Sequence, residues 1–421
     1  MKVGRSLEMM GVMLLLVLLA GGCIRFEMSE DTPTPSPTGT TPTATSDREA
    51  TPTPERTSAI AERTPLLSPT PAPTATSPPE GPDVERSPKV LWRFQTGGWG
   101  YAHPEVASGV VYVGSYNNYV YALDAATGEE RWRFETGGSV SSPAAVDGVV
   151  YIGSGDNYVY ALNAATGEER WRFETGGSVS SPAVVQGVVY IGSGDNYVYA
   201  LDAATGEWLW RFQTGYEGQA VGLSSPVVAE GAVYVGSGDG HVYAVDAATG
   251  ELRWRRDAGR SLPALVVADG TVYTGSWLGG VRALDAATGE ERWAFGSGVE
   301  GPPAVANAVV YVGSSDGAYT LNAVTGEQGW RFQTGAWFSS PVMAEGVVYI
   351  AADDIPDESY LYALDAATGV ERWRFQTGGP VTSPASSPAV AAGVVYVGSE
   401  DGYVYALDTT AVEERWVPER P

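Results

Sequence analysis

Asp353, Asp354, Asp357 and Glu358 fall close together in one stretch of the chain, and clustered carboxylates are the hard oxygen ligands that calcium takes. Their spacing fits no EF-hand loop, so a solvated acidic turn is expected there and no metal is assigned. A second group of residues departs from an otherwise regular sequence: Trp99, Tyr101, His103, Tyr116, Tyr216, Glu217, His241, Arg260, Trp277, Trp337 and Phe338. Aromatic faces with a few polar groups among them suit sugars, flat cofactors or an extended peptide. They are the candidate ligand- or partner-binding residues, weighed against ordinary loop packing. No glycine-rich phosphate loop, Ser-His-Asp order or carboxylate dyad can be singled out, so no catalytic residue is expected.

Composition narrows the chemistry further. One cysteine in 421 residues excludes an internal disulfide, a CxxC redox pair and a CxxCH haem attachment, and two histidines exclude a His-rich metal site. Residues 89–421 hold 39 acids against 18 bases, a net of −21. A surface that acidic repels phosphate backbones, and nucleic acid is not expected as a partner.

The first 22 residues read as an address. Lys2 and Arg5 precede an apolar run from Met9 to Ala20, and the small residues Gly21 and Gly22 stand before Cys23. At 16 residues, Met9 to Ile24 is short for a spanning helix, which needs about 20 apolar residues. The segment resembles the lipoprotein signals, in which the cysteine receives a diacylglycerol and becomes the first mature residue. That resemblance implies lipidation of Cys23 and an extracytoplasmic domain anchored to the outer face of a prokaryotic membrane. From Ile24 to about Ser87 the chain is rich in Pro, Thr and Ser and lacks the apolar content to build a core. Residues 23–88 are therefore expected to form a disordered tether.

The remainder, 89–421, is built on a repeat. Trp92, Trp132, Trp171, Trp210, Trp254, Trp293, Trp330, Trp373 and Trp416 recur every 37 to 44 residues, and nine such markers bound eight units. Each unit carries a Ser-Pro or related start, a VVYIG-like run, a YVYAL-like run and an ERWRF-like run. Alternating β-branched and aromatic residues make each run a strand, here lettered A to D, with Gly and Asx-Ala-Ala-Thr-Gly turns between them. Four strands in about 40 residues is the unit of a β-propeller. The expected fold is all-β: an eight-bladed β-propeller of four-stranded antiparallel blades, behind a lipoprotein signal and a disordered Pro/Thr/Ser linker.

Within the repeat, Ala-x-Asp-x-x-Thr-Gly-x-x-x-Trp recurs at Ala122–Trp132, Ala200–Trp210, Ala244–Trp254, Ala283–Trp293 and Ala363–Trp373, and with Asn163 at Ala161–Trp171. Thr320–Trp330 and Ala406–Trp416 are degenerate copies. This pattern resembles the pyrroloquinoline quinone (PQQ) repeat family, and the resemblance implies that the nine tryptophans dock one blade onto the next. The aspartates and glycines supply the turn chemistry. The loop acids Asp156, Asp195 and Asp239 also read as turn formers.

Nine D-like stretches compete for eight blades. Leu91–Phe94 precedes the first strand A and Glu414–Val417 follows the last strand C. Either the N-terminal stretch closes the ring and the C-terminal one is an extra edge, or the last blade is conventional and residues 89–95 are spare.

In such a blade the D-A and B-C connections emerge on one face. The clear insertions, Gly215–Ser225, Ala351–Tyr360 and Gly378–Ser387, all fall in those connections. Binding residues concentrate on variable loops held by a rigid scaffold, which places the site at the D-A and B-C mouth. The expected role is a non-catalytic binding or protein-assembly scaffold, monomeric, similar in size and anchoring to the propeller lipoproteins of the outer-membrane β-barrel assembly machinery. The alternatives are a quinoprotein dehydrogenase holding PQQ and calcium, and a carbohydrate or cell-wall binder. No cofactor is expected under the first reading. Many quinoproteins carry an adjacent cysteine pair, which a chain with one cysteine cannot form.

Overall fold

The computed structural model describes residues 84–97, 103–215, 222–259, 264–276, 279–296, 298–299, 301–315, 317–334, 337–354, 358–381 and 387–416. Cys23, the signal segment and residues 24–83 of the expected tether lie outside them; the last tether residues, Val84–Pro88, instead begin the first strand, so the folded domain starts earlier than residue 89. Eight antiparallel sheets follow one another along the chain. Blades one to four span Glu105–Glu135, Ala144–Glu174, Ala183–Gln213 and Val227–Asp257, and blades five to seven span Ala264–Phe295, Ala304–Phe332 and Val342–Thr377. Blade eight joins Ala389–Trp416 to Val84–Gln95.

The strands differ in burial for a geometric reason. Strands B and C, such as Val149–Gly153 and Tyr158–Asn163, are buried almost throughout because neighbouring blades cover both faces of each sheet. Strand D is outermost and alternates, as in Glu130–Glu135, where Trp132 is buried among exposed neighbours. The eight strands A contact one another in sequence, and blade one meets blade eight, so they ring the axis. Seven of the eight A-B turns pair a non-glycine residue with glycine, both at positive φ, as Asp147 (49°) and Gly148 (76°) do. Blade six places Asn307 and Ala308 there instead. That is the type I′ hairpin geometry favoured by strand twist.

The C-D turn is equally regular. The Asp124 carboxylate accepts the amides of Ala126 and Thr127, both at 3.0 Å, while Gly128 at φ 73° returns its amide to the Asp124 carbonyl at 2.8 Å. A bulge at Arg131 follows, between the Ala122–Trp132 and Leu123–Glu130 pairs. It turns the guanidinium back onto Asp124 at 2.7 Å. These contacts hold the Asp124 carboxyl down at about 2, chiefly through Arg131.

Ring closure follows neither alternative in full. The N-terminal strand Val84–Gln95 is the outermost strand of blade eight, with Trp92 opposite Ala406 and Gln95 opposite Tyr403. The C-terminal stretch is not an extra edge: it continues strand C as one strand, Tyr403–Trp416, and pairs with Val84–Pro88. Val412 stands where every other blade has the glycine of the C-D turn. Without a residue suited to positive φ the chain does not turn. Trp416 therefore pairs through its backbone with Val84, and Trp92 occupies the docking position of that blade. A cleft of about 410 Å³ lies at this seam, lined by Tyr349, Trp373, Thr409, Thr410 and Val412 among others.

Blade seven is the other irregular sheet. Its B and C strands are lengthened to Val347–Asp354 and Glu358–Asp365, and a short extra strand, Trp337–Phe338, pairs with Asp353 and Ala352. The expected loop insertion is thus largely an extended hairpin.

Candidate functional site at the D-A and B-C face

The loops of this face are tied down by a repeated clamp. In blade two, Asp156 follows Ser154 and Gly155 after strand B. Its carboxylate accepts the Gly137 amide of the preceding D-A loop at 2.6 Å, the Tyr160 hydroxyl at 2.8 Å and the Tyr158 amide at 3.1 Å. Asp195 repeats it with Gly176 (2.8 Å) and Tyr199 (2.7 Å). Asp401 does the same with Gly378 (3.0 Å) and the Tyr405 hydroxyl. In blade four the Tyr243 hydroxyl donates to Asp239 at 2.6 Å and accepts the Gly215 amide at 3.1 Å. Burial, and then the adjoining carboxylate, push the Tyr160, Tyr199, Tyr243 and Tyr405 hydroxyls upward. These aspartates form turns, and they also fasten adjacent blades. The tyrosine partner is a part of the site that strand patterning alone did not single out.

Blade one departs from the clamp. Asn117 replaces the aspartate and donates to the Thr96 carbonyl at 3.0 Å and to Tyr121 Oη at 2.9 Å. Tyr116 takes the place of Gly155 and is 49% exposed, so blade one presents an aromatic ring where blades two to four have glycine. His103 lies at the start of the same blade, its amide bound to Ser142 Oγ at 3.0 Å. The Ser142 amide in turn binds Ser181 Oγ at 3.1 Å. His241 is part-buried, with Nδ1 3.4 Å from the Asp239 carboxylate and its ring 6.1 Å from Tyr243.

Phe338 is not a mouth residue. It is 2% exposed and packs against Phe332 and Tyr362 in the core of blades six and seven. Trp337 begins the extra strand of blade seven. Trp99, Tyr101, Tyr216, Glu217, Arg260 and Trp277 lie outside the described residues, so the structure brings together His103, Tyr116 and His241 only as members of the same rim.

The axis holds one residue that sequence reading passed over. Glu105 is the only charged residue on the eight strands A, and stands where other blades carry alanine or valine opposite the strand-B tyrosine. Burial raises its carboxyl to about 7. A lone glutamate in a short run gives no sequence signal; its alignment against Ala144 and Ala183 does.

Among the described residues no three His, Cys, Asp or Glu side chains group around a common point. Asp353 is held by the Val381 amide at 3.2 Å, and Asp357 is outside the described residues.

A family model described as outer membrane protein assembly factor BamB, of the PQQ-repeat class, matches residues 84–275 and 278–419. The chain belongs to this family. Its fold is shared with BamB from Moraxella catarrhalis, at 21% identity and TM-score 0.63 over 76% of this chain and 99% of that one. The computationally designed Ika8 protein gives 19% and 0.66 over 77% and 99%. The quinohemoprotein alcohol dehydrogenase ADHIIG from Pseudomonas putida HK5 gives 17% and 0.62 over 79% and 78%. No curated protein sequence matches this one. At these identities the likeness is one of fold, and the same propeller carries both assembly factors and dehydrogenases.

Proposed function

We propose that this protein is a non-catalytic scaffold of the cell envelope, tethered by a lipid on Cys23 and binding a protein partner at the D-A and B-C mouth. The family description, an outer membrane protein assembly factor, supports an assembly role outside the cytoplasm. The observation that carries the placement is the contrast between faces. The A-B and C-D turns repeat one geometry around the ring, with Val412 the one break among the C-D glycines, while the mouth departs from its own repeat at particular residues, Tyr116 beside Asn117 in blade one and His241 beside the Asp239 clamp in blade four. A rigid rim with individual side chains is what selective docking requires.

The test is photocrosslinking of the full chain in its native envelope, with a benzophenone amino acid placed at Tyr116, at His241, or at Ala126 and Thr166 on the opposite face. Protein adducts from the mouth positions and none from the opposite face are expected; the reverse pattern would overturn the placement. In parallel, equilibrium dialysis against PQQ with calcium is expected to show no stoichiometric binding. Saturable binding with dye-linked alcohol or sugar oxidation would establish the dehydrogenase instead.

A further inference from the structure

Repetition makes departures legible on the outer rim as well. In blades one, two and seven, the first residue of strand D is a glutamate paired with the arginine three positions on: Glu130 with Arg133 (3.8 Å), Glu169 with Arg172 (3.8 Å) and Glu371 with Arg374 (3.6 Å). Blades three and four put Trp208 and Leu252 in place of that glutamate. Arg211 and Arg255 thereby lose the acid, and neither forms an ion pair among the described residues. Arg211 keeps the stacking over the strand-C tyrosine seen in blades one, two and seven, here Tyr197 at 4.6 Å, and adds Trp208 at 5.3 Å where the glutamate would be.

Blade three departs a second time. The bulge arginine that meets the turn aspartate in blades one, four, five and seven is Leu209. Trp208, Leu209 and Leu252 are 55%, 52% and 46% exposed. Strand Trp208–Gln213 is also the free edge of its sheet and carries no acid. Edge strands are ordinarily guarded by charge, and here the guard is replaced by large apolar side chains. Strands Trp208–Gln213 and Leu252–Asp257 together hold four arginines, Arg211, Arg253, Arg255 and Arg256, against the single acid Asp257. This lies in a chain of formal charge −25.

We infer that the outer edges of blades three and four form a second docking surface, which takes an extended segment of a partner protein bearing both carboxylates and apolar side chains. Apolar groups would cover Trp208, Leu209 and Leu252, and carboxylates would pair with Arg211 and Arg255 in place of the missing glutamates. A free strand edge adds backbone donors and acceptors that a polypeptide uses and a lipid does not. The surface is distinct from the mouth, and its test is independent of the mouth reading.

The probe is a fluorescent ten-residue peptide alternating Glu with Leu and Val, titrated by anisotropy into the full chain in detergent micelles. A peptide with Lys for Glu is the control. Trp208→Glu with Leu209→Arg restores the residues that blade two carries, Glu169 and Arg170, and is expected to weaken binding about tenfold or more. Leu252→Glu is expected to weaken it in the same direction, and stands in should the double variant melt early. The Lys peptide is expected not to bind. Equal affinity for wild type and both variants, or no binding of the Glu peptide below about 1 mM, would overturn the proposal. So would a tryptophan-emission shift with dioctanoyl phosphatidylglycerol that the double variant abolishes while the Glu peptide produces none, because the surface would then serve a lipid.

Discussion

Trp171 donates its indole Nε1–H to the carbonyl oxygen of Ala203 at 3.0 Å, fastening blade two to the first residue of the next blade's C-D turn. The Tyr151 hydroxyl donates to that same oxygen at 3.0 Å. The pairing recurs with Trp132 and Tyr112 on Ala164, with Trp210 and Tyr190 on Ala247, and with Trp254 and Tyr234 on Ala286. Each tryptophan also packs against its own tyrosine, at 5.8 Å for Tyr151 and Trp171. One carbonyl with two lone pairs thus serves two donors from the neighbouring blade.

That sharing predicts non-additive energetics. Tyr151→Phe should cost about 1 kcal/mol and Trp171→Phe about 1–2 kcal/mol, since the Ala203 oxygen keeps one donor in either case. The double variant removes both and leaves a buried carbonyl unsatisfied, so its cost should exceed the sum by about 1 kcal/mol. Urea denaturation of the four proteins checks this, and strict additivity would show that the two bonds act separately.

A sharper contrast concerns glycine. Gly206 has φ 74°, and a Cβ there would lie 2.7 Å from Trp171 Cδ2 and Cε3; Gly187 has φ 79° with nothing within 4 Å. Gly187→Ala should cost only the left-handed strain, roughly 1–2 kcal/mol. Gly206→Ala adds displacement of an indole held by its own hydrogen bond, and should cost about 2 kcal/mol more. Thermal melts that rank the two equally would remove the indole from the explanation.

Much of this was readable in the sequence, because a repeat states each structural role many times. The tryptophan spacing sets eight units, and the Asp-Ala-Ala-Thr-Gly run specifies a turn shaped by hydrogen bonds within the run itself, such as those of Asp124 to Ala126, Thr127 and Gly128. What escaped the sequence depends on contacts between units. Tyr151 looks like any strand residue until Ala203 is placed beside it, and Phe338 looks like a loop aromatic until the extra strand of blade seven buries it. The seam is left open between two closures, although the missing glycine at Val412 is a signal that the last C-D turn does not form.

Glu105 gives a pH prediction. With its carboxyl raised to about 7 from a usual 4.5, the folded state favours the neutral acid. The stabilising contribution is therefore complete below about pH 4.5, declines as pH rises and is lost above about 7, by at most about 3 kcal/mol. Glu105→Gln, neutral at every pH, should match wild type near pH 5 and exceed it in stability at pH 8. Parallel denaturation curves at the two pH values decide the matter, and a variant gap that does not change with pH would show that Glu105 is solvated.

The closing strand yields the last prediction. Lys89–Gln95 lies along Tyr403–Asp408 as the outer strand of blade eight, and Trp92 carries the bond to Ala125 of blade one at 3.0 Å. Separating this segment exposes Trp92 and Tyr396 and strips the outer strand and the Trp92–Ala125 bond from the junction, leaving the first and last blades joined by their strands A and the Tyr396–Ala125 bond. The outer arm, Val84–Pro88 against Val412–Trp416, bears no such load, and its Arg86–Glu414 pair is solvent-exposed, where ion pairs contribute about 0–1 kcal/mol. Amide hydrogen exchange should therefore divide this one strand in two: Trp92–Gln95 exchanging only with the slowest, global opening, and Glu85–Ser87 exchanging much faster. Uniformly fast exchange along the whole of Val84–Gln95 would mean that blade eight is held by its three inner strands, and that the N-terminal strand is an accessory to the ring.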